Sequence, residues 1–137
     1  DYELEVGKAN LLRSGSDVTI IATGMMVRES LDAAEILSAQ GIECRVLDMH
    51  TIKPIDTDAL HDAFMQTELV VSVEEHSIIG GLGGAIAEYK SDKEYKTRLV
   101  RIGVNDRFGK LGDMRYCWEQ HGLTAPQIAD RILNEFK

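Results

Sequence analysis

Cysteine is scarce in this sequence, whose 137 residues include only Cys44 and Cys117. The two lie far apart and neither belongs to a Cys-x-x-Cys pair, so the sequence indicates neither a zinc site nor a dithiol redox motif. Two reduced thiols are typical of a cytoplasmic protein, and we expect this localisation. A chain of this length buries roughly 65–70% of the surface that it exposes when unfolded, so it needs no disulfide or metal to fold.

Positive charge is also in short supply. Lysine and arginine together number 15, against 23 aspartate and glutamate residues, which gives a net charge of −8. A nucleic-acid surface requires a basic stripe, and anionic membranes attract basic clusters. The composition therefore disfavours both nucleic acid and membrane lipid as partners.

Long apolar runs are missing as well. The most apolar stretch, Val18 to Val27, is interrupted by Thr23 and Gly24 and is far shorter than the roughly 20 residues that span a membrane. The acidic start at Asp1 is unlike a signal peptide, and it lacks an initiator methionine, as expected of a fragment or a processed product. The length fits one domain, residues 1–137, and no repeat or linker interrupts it.

Strand-like and helix-like segments alternate along the chain. The predicted strands are Ala9–Arg13, Val18–Ala22, Glu43–Asp48, Leu69–Glu74 and Arg98–Gly103. The predicted helices begin near Thr23, Thr57, Gly83, Met114 and Ala125. Such alternation is typical of a mostly parallel sheet covered on both faces. We therefore predict a three-layer α/β fold with a five-stranded mixed sheet, in which four strands are parallel, with right-handed crossovers, and one is an antiparallel edge strand.

The first two predicted strands are joined by the short turn Ser14–Asp17. A connection of this length is typical of a hairpin. We therefore predict that Ala9–Arg13 pairs with Val18–Ala22 and supplies the antiparallel strand at the edge.

Two helices have clear start signals. Asp56 is placed to cap a helix over Thr57–Gln66. Thr124 and Gln127 fit a capping box at the start of the last helix. The buried stripe of that helix is predicted to contain Ile128, Ala129, Ile132, Leu133 and Phe136.

The most conspicuous motif is the glycine loop, Glu74–Gly84, which follows a predicted strand and precedes a predicted helix. Ligands of open α/β sheets commonly bind at this end of the strands. Gly81-Leu82-Gly83 begins like a dinucleotide fingerprint, but Ile86 stands at the third glycine position and no acidic residue ends the next strand. Nucleotide binding is therefore disfavoured, and the glycines are better explained by positive φ angles and close backbone approach.

Glu75 and His76 are the candidate acid–base pair of this loop. Neighbouring residues at a strand end point in opposite directions, so the two side chains need not meet. A single histidine there is more often a hydrogen-bonding surface or interface residue than a catalyst. The other histidines show no metal-ligand spacing: His50, His61 and His121.

Four segments of the chain occur in an order that is specific to one superfamily. They are Gly7–Ala9 with Gly15–Gly24, Val46–Asp56, Glu74–Gly84, and Asp106–Gly109 with Gly122–Thr124. Together they resemble the C-terminal domain of the transketolase family, over nearly the whole chain. The superfamily includes transketolase, 1-deoxyxylulose-5-phosphate synthase and the β chain of 2-oxo acid dehydrogenases. Glu75-His76 followed by Ile79–Gly83 is most similar to the C-terminal subunit of bacterial split transketolases.

The resemblance implies a mixed five-stranded α/β domain that lies beside the catalytic domains and helps to form a homodimer. The parent enzyme, of the pentose phosphate pathway, would transfer a two-carbon ketol unit between sugar phosphates with thiamine diphosphate and magnesium. The family binds magnesium through a Gly-Asp-Gly motif, and the nearest string here, Gly112-Asp113-Met114, lacks the second glycine. Both cofactors are therefore expected outside this chain, with an upstream pyrimidine-binding domain and an N-terminal transketolase subunit as partners.

We assign no catalytic, cofactor-binding or metal-binding residue to the chain, which we expect to be inactive in isolation. The residues of the family signature are expected to act at an interface or behind the cofactor contacts. They are Glu75, His76, Gly80, Gly81 and Gly83.

Other interpretations remain open. The alternatives to a transketolase are the C-terminal domain of a 1-deoxyxylulose-5-phosphate synthase and that of a 2-oxo acid dehydrogenase β chain, where it would help to dock the acyltransferase core. A different class is a stand-alone assembly module or regulatory-ligand module. An assembly module would expose a large apolar patch, and we expect the isolated chain to self-associate.

Overall fold

A computed structural model describes residues 3–137; Asp1 and Tyr2, at the start of the predicted domain, lie outside the described residues. The strands are β1 (Asn10–Arg13), β2 (Val18–Ala22), β3 (Cys44–Asp48), β4 (Leu69–Ser77) and β5 (Arg98–Val104). The helices are α1 (Met26–Ser38), α2 (Thr57–Gln66), α3 (Leu82–Ser91), α4 (Met114–His121) and α5 (Ala125–Phe136). Among the described residues, no helix is both long and apolar enough to cross a membrane.

The five strands form one mixed sheet in the order β1-β3-β2-β4-β5. β2, β3, β4 and β5 are parallel, and β1 is antiparallel at one edge. One face of the sheet packs on α1, α4 and α5, and the other packs on α2 and α3. The predicted three-layer α/β fold is confirmed.

The predicted hairpin between β1 and β2 is wrong. β1 pairs with β3 instead, with Asn10 opposite Asp48 and Leu11 opposite Leu47. The reason is that β2 is the central strand, and both of its sides are already taken by parallel neighbours, β3 and β4. All five residues of β2 are buried, as expected of a strand that is covered on both faces.

The turn that was expected to close the hairpin carries the chain past the start of β3. Asp17 fixes this crossing, because its backbone N–H donates to the carbonyl of Glu43 at 2.9 Å and its Oδ2 accepts from the N–H of Glu43 at 2.7 Å. Gly15 lies against the backbone of Cys44 so closely that a Cβ atom would collide with it. The tight turn therefore carries the chain past the start of β3, which lies between β1 and β2, and does not form a hairpin.

Asp56 caps α2, as predicted, and also holds β1. Its Oδ1 accepts from the backbone N–H of Ala59 at 3.0 Å, and its Oδ2 accepts from that of Ala9 at 2.8 Å. Burial of the carboxyl raises its pKa, but the hydrogen bonds from Ala59 and Ala9 and the charge of Lys8 outweigh burial, so the pKa lies below its ordinary value. The ionised form of Asp56 therefore stabilises the fold.

The start of α5 is capped from two sides. The side chain of Gln127 accepts from the N–H and the hydroxyl of Thr124, at 3.3 and 2.8 Å, which agrees with the predicted capping box. Glu29, a buried residue of α1, accepts from the N–H of Ala125 at 2.6 Å and lies 3.5 Å from the guanidinium of Arg115. A carboxylate at the positive end of a helix is stabilising, so Glu29 joins α1 to α5. In the predicted stripe of α5, Ile128, Ala129 and Ile132 are buried and Leu133 and Phe136 are half-buried.

Replacing Asp56 by Ala should lower the free energy of unfolding by about 1–3 kcal/mol, because two backbone N–H groups lose their acceptor. Asp58→Ala is the matched control in the same helical turn. Its side chain is 88% exposed, and a change of no more than about 0.5 kcal/mol is expected. Urea denaturation at pH 7 measures both, and equal losses would contradict the capping role.

The contribution of Asp56 should also depend on pH. Because its folded-state pKa is lowered, the stabilisation is present above the unfolded pKa of about 4 and is lost as the pH falls through the folded value. The stability difference between the wild-type chain and Asp56→Asn should be constant from about pH 5 to 7 and shrink below about pH 4. A difference that is the same at pH 3 and pH 7 would contradict this linkage.

Candidate functional site

The loops after β2, β3 and β4 meet at one edge of the sheet, because the carboxyl ends of parallel strands point the same way. Two open grooves lie there, of about 410 and 550 Å³, separated by Gly80 and Gly81 and by Ile52, which line both. The smaller groove is also lined by Glu75 and His76. The structure thus brings four of the five predicted site residues to this edge, and Gly83 is the second residue of α3.

Glu74 is a buried residue of β4 that joins this edge of the sheet to the start of α3. It is 1% exposed. Its Oε2 accepts from the backbone N–H of Leu82 at 2.7 Å, and its Oε1 accepts from that of Gly83 at 2.9 Å. Both N–H groups belong to the first turn of α3, the positive end of the helix, where a phosphate would otherwise bind. The chain's own carboxylate therefore fills the position that a nucleotide phosphate would need.

The glycines of the loop allow this close packing. A Cβ atom on Gly81, the N-cap of α3, would collide with the carboxylate of Glu74. Gly80 has φ of +79°, which favours glycine. A Cβ atom on Gly83 would lie 2.7 Å from Ser72 Oγ on the neighbouring strand. These contacts explain the three predicted glycines structurally, without a ligand.

Glu75 and His76 lie within β4, which extends three residues beyond the predicted end of that strand. As predicted, their side chains diverge. Glu75 Oε1 accepts from the indole N–H of Trp118 at 2.7 Å, which joins β4 to α4. His76 Nδ1 lies 2.7 Å from the carbonyl oxygen of Ser77 and 3.9 Å from Glu74 Oε2, and its side chain is 61% exposed. The two residues therefore share no proton and form no acid–base pair.

The larger groove adjoins a chain of hydrogen-bonded rings. The hydroxyls of Tyr89 and Tyr95 are 2.9 Å apart, and His61 Nδ1 lies 2.7 Å from the Tyr95 hydroxyl. Burial and the hydrogen bond with Tyr95 raise the pKa of Tyr89 to about 12, so its hydroxyl stays protonated at neutral pH. Burial likewise raises the pKa of the Cys44 thiol to about 12, which leaves it unreactive.

The groups at this edge do not form a magnesium site. Within residues 3–137, no three His, Cys, Asp or Glu side chains lie where they could hold a metal ion. Asp113, the acidic residue of the incomplete motif, caps α4 by accepting from the N–H of Tyr116 at 2.9 Å. The carboxylates of Glu74 and Glu75 are engaged within the domain.

Two residues of this edge were not identified from the sequence. Glu74 was included only as the start of the glycine loop, although its place directly after the buried segment Val70–Val73 could have marked it as a buried carboxylate that needs hydrogen-bond donors. Trp118 carried no such signal, because its bond to Glu75 joins residues that are 43 positions apart.

Residues 7–128 match the family model described as transketolase, C-terminal domain. A putative transketolase C-terminal section of Methanocaldococcus jannaschii is 46% identical over 97% of this chain and 41% of its own length. The 6-deoxy-6-sulfo-D-fructose transketolase subunit SqwH of Clostridium sp. (strain MSTE9) is 50% identical over 92% of this chain and 39% of its own length. A 1-deoxy-D-xylulose-5-phosphate synthase of Caldanaerobacter subterraneus is 37% identical over 96% of the chain and 21% of its own length.

Among solved structures, a split-gene transketolase described as an inactive β4 tetramer superposes with a TM-score of 0.92 and 42% identity. The match covers 98% of this chain and 44% of that one. The chain thus spans about two fifths of the transketolase relatives that it matches. On the sheet order, the family match and these relatives, the chain belongs to the transketolase C-terminal domain family.

Proposed function

We propose that this chain is the C-terminal domain of a thiamine-diphosphate-dependent split transketolase, which transfers a two-carbon ketol unit between sugar phosphates. The observation that carries the proposal is the 46–50% identity, over nearly the whole chain, to a transketolase C-terminal section and a transketolase subunit. The domain acts as a scaffold, and the cofactor and the magnesium ion are bound by other parts of the enzyme in the cytoplasm.

The chemistry of the sheet edge supports a scaffold role. Catalysis of ketol transfer requires groups that are free to exchange protons with the substrate or the cofactor. The carboxylates of Glu74 and Glu75 are instead tied to α3 and α4. Among residues 3–137, no carboxylate lies within hydrogen-bonding distance of His76 to orient its ring. The partners of the domain are an upstream pyrimidine-binding domain, an N-terminal transketolase subunit and a second copy in a homodimer.

The first test is a calorimetric titration of this chain with thiamine diphosphate and magnesium. No binding heat is expected, because the described residues contain no cluster of His, Cys, Asp or Glu side chains that could hold the magnesium ion. The positive control is the chain joined to its upstream domain and mixed with the N-terminal subunit, which should bind the cofactor. Saturable binding to the chain alone would contradict the scaffold assignment.

The same reconstituted enzyme distinguishes the second candidate. A transketolase should transfer the ketol unit of xylulose 5-phosphate to ribose 5-phosphate. The 37% identity to a 1-deoxy-D-xylulose-5-phosphate synthase favours that enzyme as the alternative. Formation of deoxyxylulose phosphate from pyruvate, without ketol transfer between sugars, would replace the transketolase proposal with the synthase.

A scaffold role also predicts how substitutions in the glycine loop behave. Gly81→Ala should displace the carboxylate of Glu74 and lower the free energy of unfolding by about 2–4 kcal/mol, through two lost bonds to a buried charge. Gly84→Ala is the matched control in the same helix, since a Cβ atom there meets nothing within 4 Å. It should be neutral or stabilising by up to about 1 kcal/mol.

His76→Ala completes this series. The exposed side chain should be dispensable, so the reconstituted enzyme should keep its turnover within about twofold and its stability within about 0.5 kcal/mol. Steady-state kinetics and urea denaturation measure the two quantities. A loss of turnover of 100-fold with unchanged stability would instead make His76 a catalytic residue.

A further inference from the structure

The connection from β5 into α4 presents apolar side chains to water. All residues from Asn105 to Tyr116 are exposed. Phe108 and Leu111 have relative exposures of 103% and 102%, as in an isolated peptide. Met114 and Tyr116 follow at 48% and 37%. We call these four side chains the β5–α4 surface. Exposed apolar side chains that lie this close in sequence indicate an interaction site.

The segment that carries this surface is held by its own chain. The thiol of Cys117 lies 3.6 Å from the carbonyl oxygen of Lys110 and 3.7 Å from that of Gly112. The guanidinium of Arg107 donates to the carbonyl of Gln120 at the end of α4. A surface that is already ordered loses little conformational entropy when it binds a partner.

The charge of the segment favours a second copy of the same chain as the partner. The whole chain has a net charge of −8, so two copies repel each other over most of their surface. Residues 105–116 carry three basic and two acidic side chains: Arg107, Lys110, Arg115, Asp106 and Asp113. This locally balanced segment is therefore a place where two acidic copies can meet with little repulsion.

Two of these charges have no partner within the described part of the chain. Arg115 is paired with Glu29, and Asp113 caps α4. In contrast, the side chains of Asp106 and Lys110 make no ion pair or hydrogen bond within residues 3–137. The two opposite charges lie on either side of Phe108 in sequence. In a two-fold contact, each residue can meet the other residue of the second copy, so both pairs form at once.

We infer that the β5–α4 surface is a two-fold contact between two copies of this chain, with Phe108 and Leu111 at its centre and reciprocal Asp106–Lys110 ion pairs at its rim. The inference rests on the homodimer of the proposed function and names the residues that form it. It agrees with the assembly of the related split-gene transketolase chain, which is described as a β4 tetramer.

Sedimentation velocity over a range of concentrations tests the apolar centre. The wild-type chain should dimerise, and the double variant Phe108→Lys/Leu111→Lys should raise the dimer dissociation constant by about 100-fold or more. The matched control, Ile36→Lys/Met65→Lys, replaces two exposed apolar residues of α1 and α2 with the same charges. It should change the constant by less than about threefold. Circular dichroism and urea denaturation check that both variants are folded. A monomeric wild-type chain, or equal effects of both double variants, would overturn the inference.

Charge reversal tests the two-fold arrangement. Asp106→Lys places two basic groups where the pairs form, and Lys110→Asp places two acidic groups there, so each variant alone should dimerise weakly. An equimolar mixture should restore dimerisation, because both reciprocal pairs then have opposite charges. The control mixture is Asp58→Lys with Lys8→Asp, which reverses an exposed pair elsewhere and should gain nothing on mixing. Absence of restoration in the first mixture would overturn the reciprocal contact.

The outcome is separable from that of the proposed function. A monomeric chain whose reconstituted enzyme transfers ketol units would refute this contact and leave the proposed function intact. A chain that dimerises through Phe108 but gives no ketol transfer on reconstitution would support this contact and refute the proposed function. Substitutions at Phe108 and Leu111 that abolish binding to the upstream domain and leave self-association intact would assign the surface to that domain and overturn the inference.

Discussion

The carboxylate of Glu74 is buried at the junction of β4 and α3, where it accepts two backbone hydrogen bonds. Removing a carboxylate from water is unfavourable unless hydrogen bonds and positive potential replace the lost hydration. The first turn of α3 supplies both, and this requires the helix to begin directly against the strand. Gly81 permits the approach, and Gly103 on β5 leaves room for the side chain, since a Cβ atom there would lie 3.2 Å from Glu74 Cγ. The contact thus fixes β4, β5 and α3 relative to one another.

The same arrangement recurs at two other helices. Glu29 of α1 accepts from the first residue of α5, and Asp56 accepts from the first turn of α2 and from the residue that precedes β1. In each case an acidic side chain joins two elements that are distant in sequence. Part of the acidic excess of the chain is therefore structural, because helix N-termini are positive and attract carboxylates from neighbouring elements.

The hydrogen bonding of these carboxylates within the domain bears on its function. The edge of the sheet where α/β proteins commonly bind ligands has its carboxylates tied to helices, while the segment after β5 presents apolar side chains outward. Both features support the scaffold role that we propose for the domain. Family membership establishes the fold and its relatives, and ketol transfer follows from the identity of those relatives as a proposal about the larger enzyme.

The sequence by itself determined the elements and their layering. Periodicity located five strands and five helices, and local signals such as Asp56 and Thr124 predicted helix starts, because capping involves residues that are three positions apart. The glycine loop was also recognised, and its ordered neighbours indicated the family. These features depend on short stretches of chain, in which the side chains that interact are close in sequence.

Only the tertiary structure decided which strands are neighbours and which groups of the site meet. A four-residue turn is typical of a hairpin, but β3 and β4 occupy both sides of β2, so β1 pairs with β3 instead. The bond between Glu75 and Trp118, and that between Glu29 and α5, join residues 43 and 96 positions apart. Their formation depends on the packing of whole helices against the sheet, and no local sequence pattern determines the free energy of that packing.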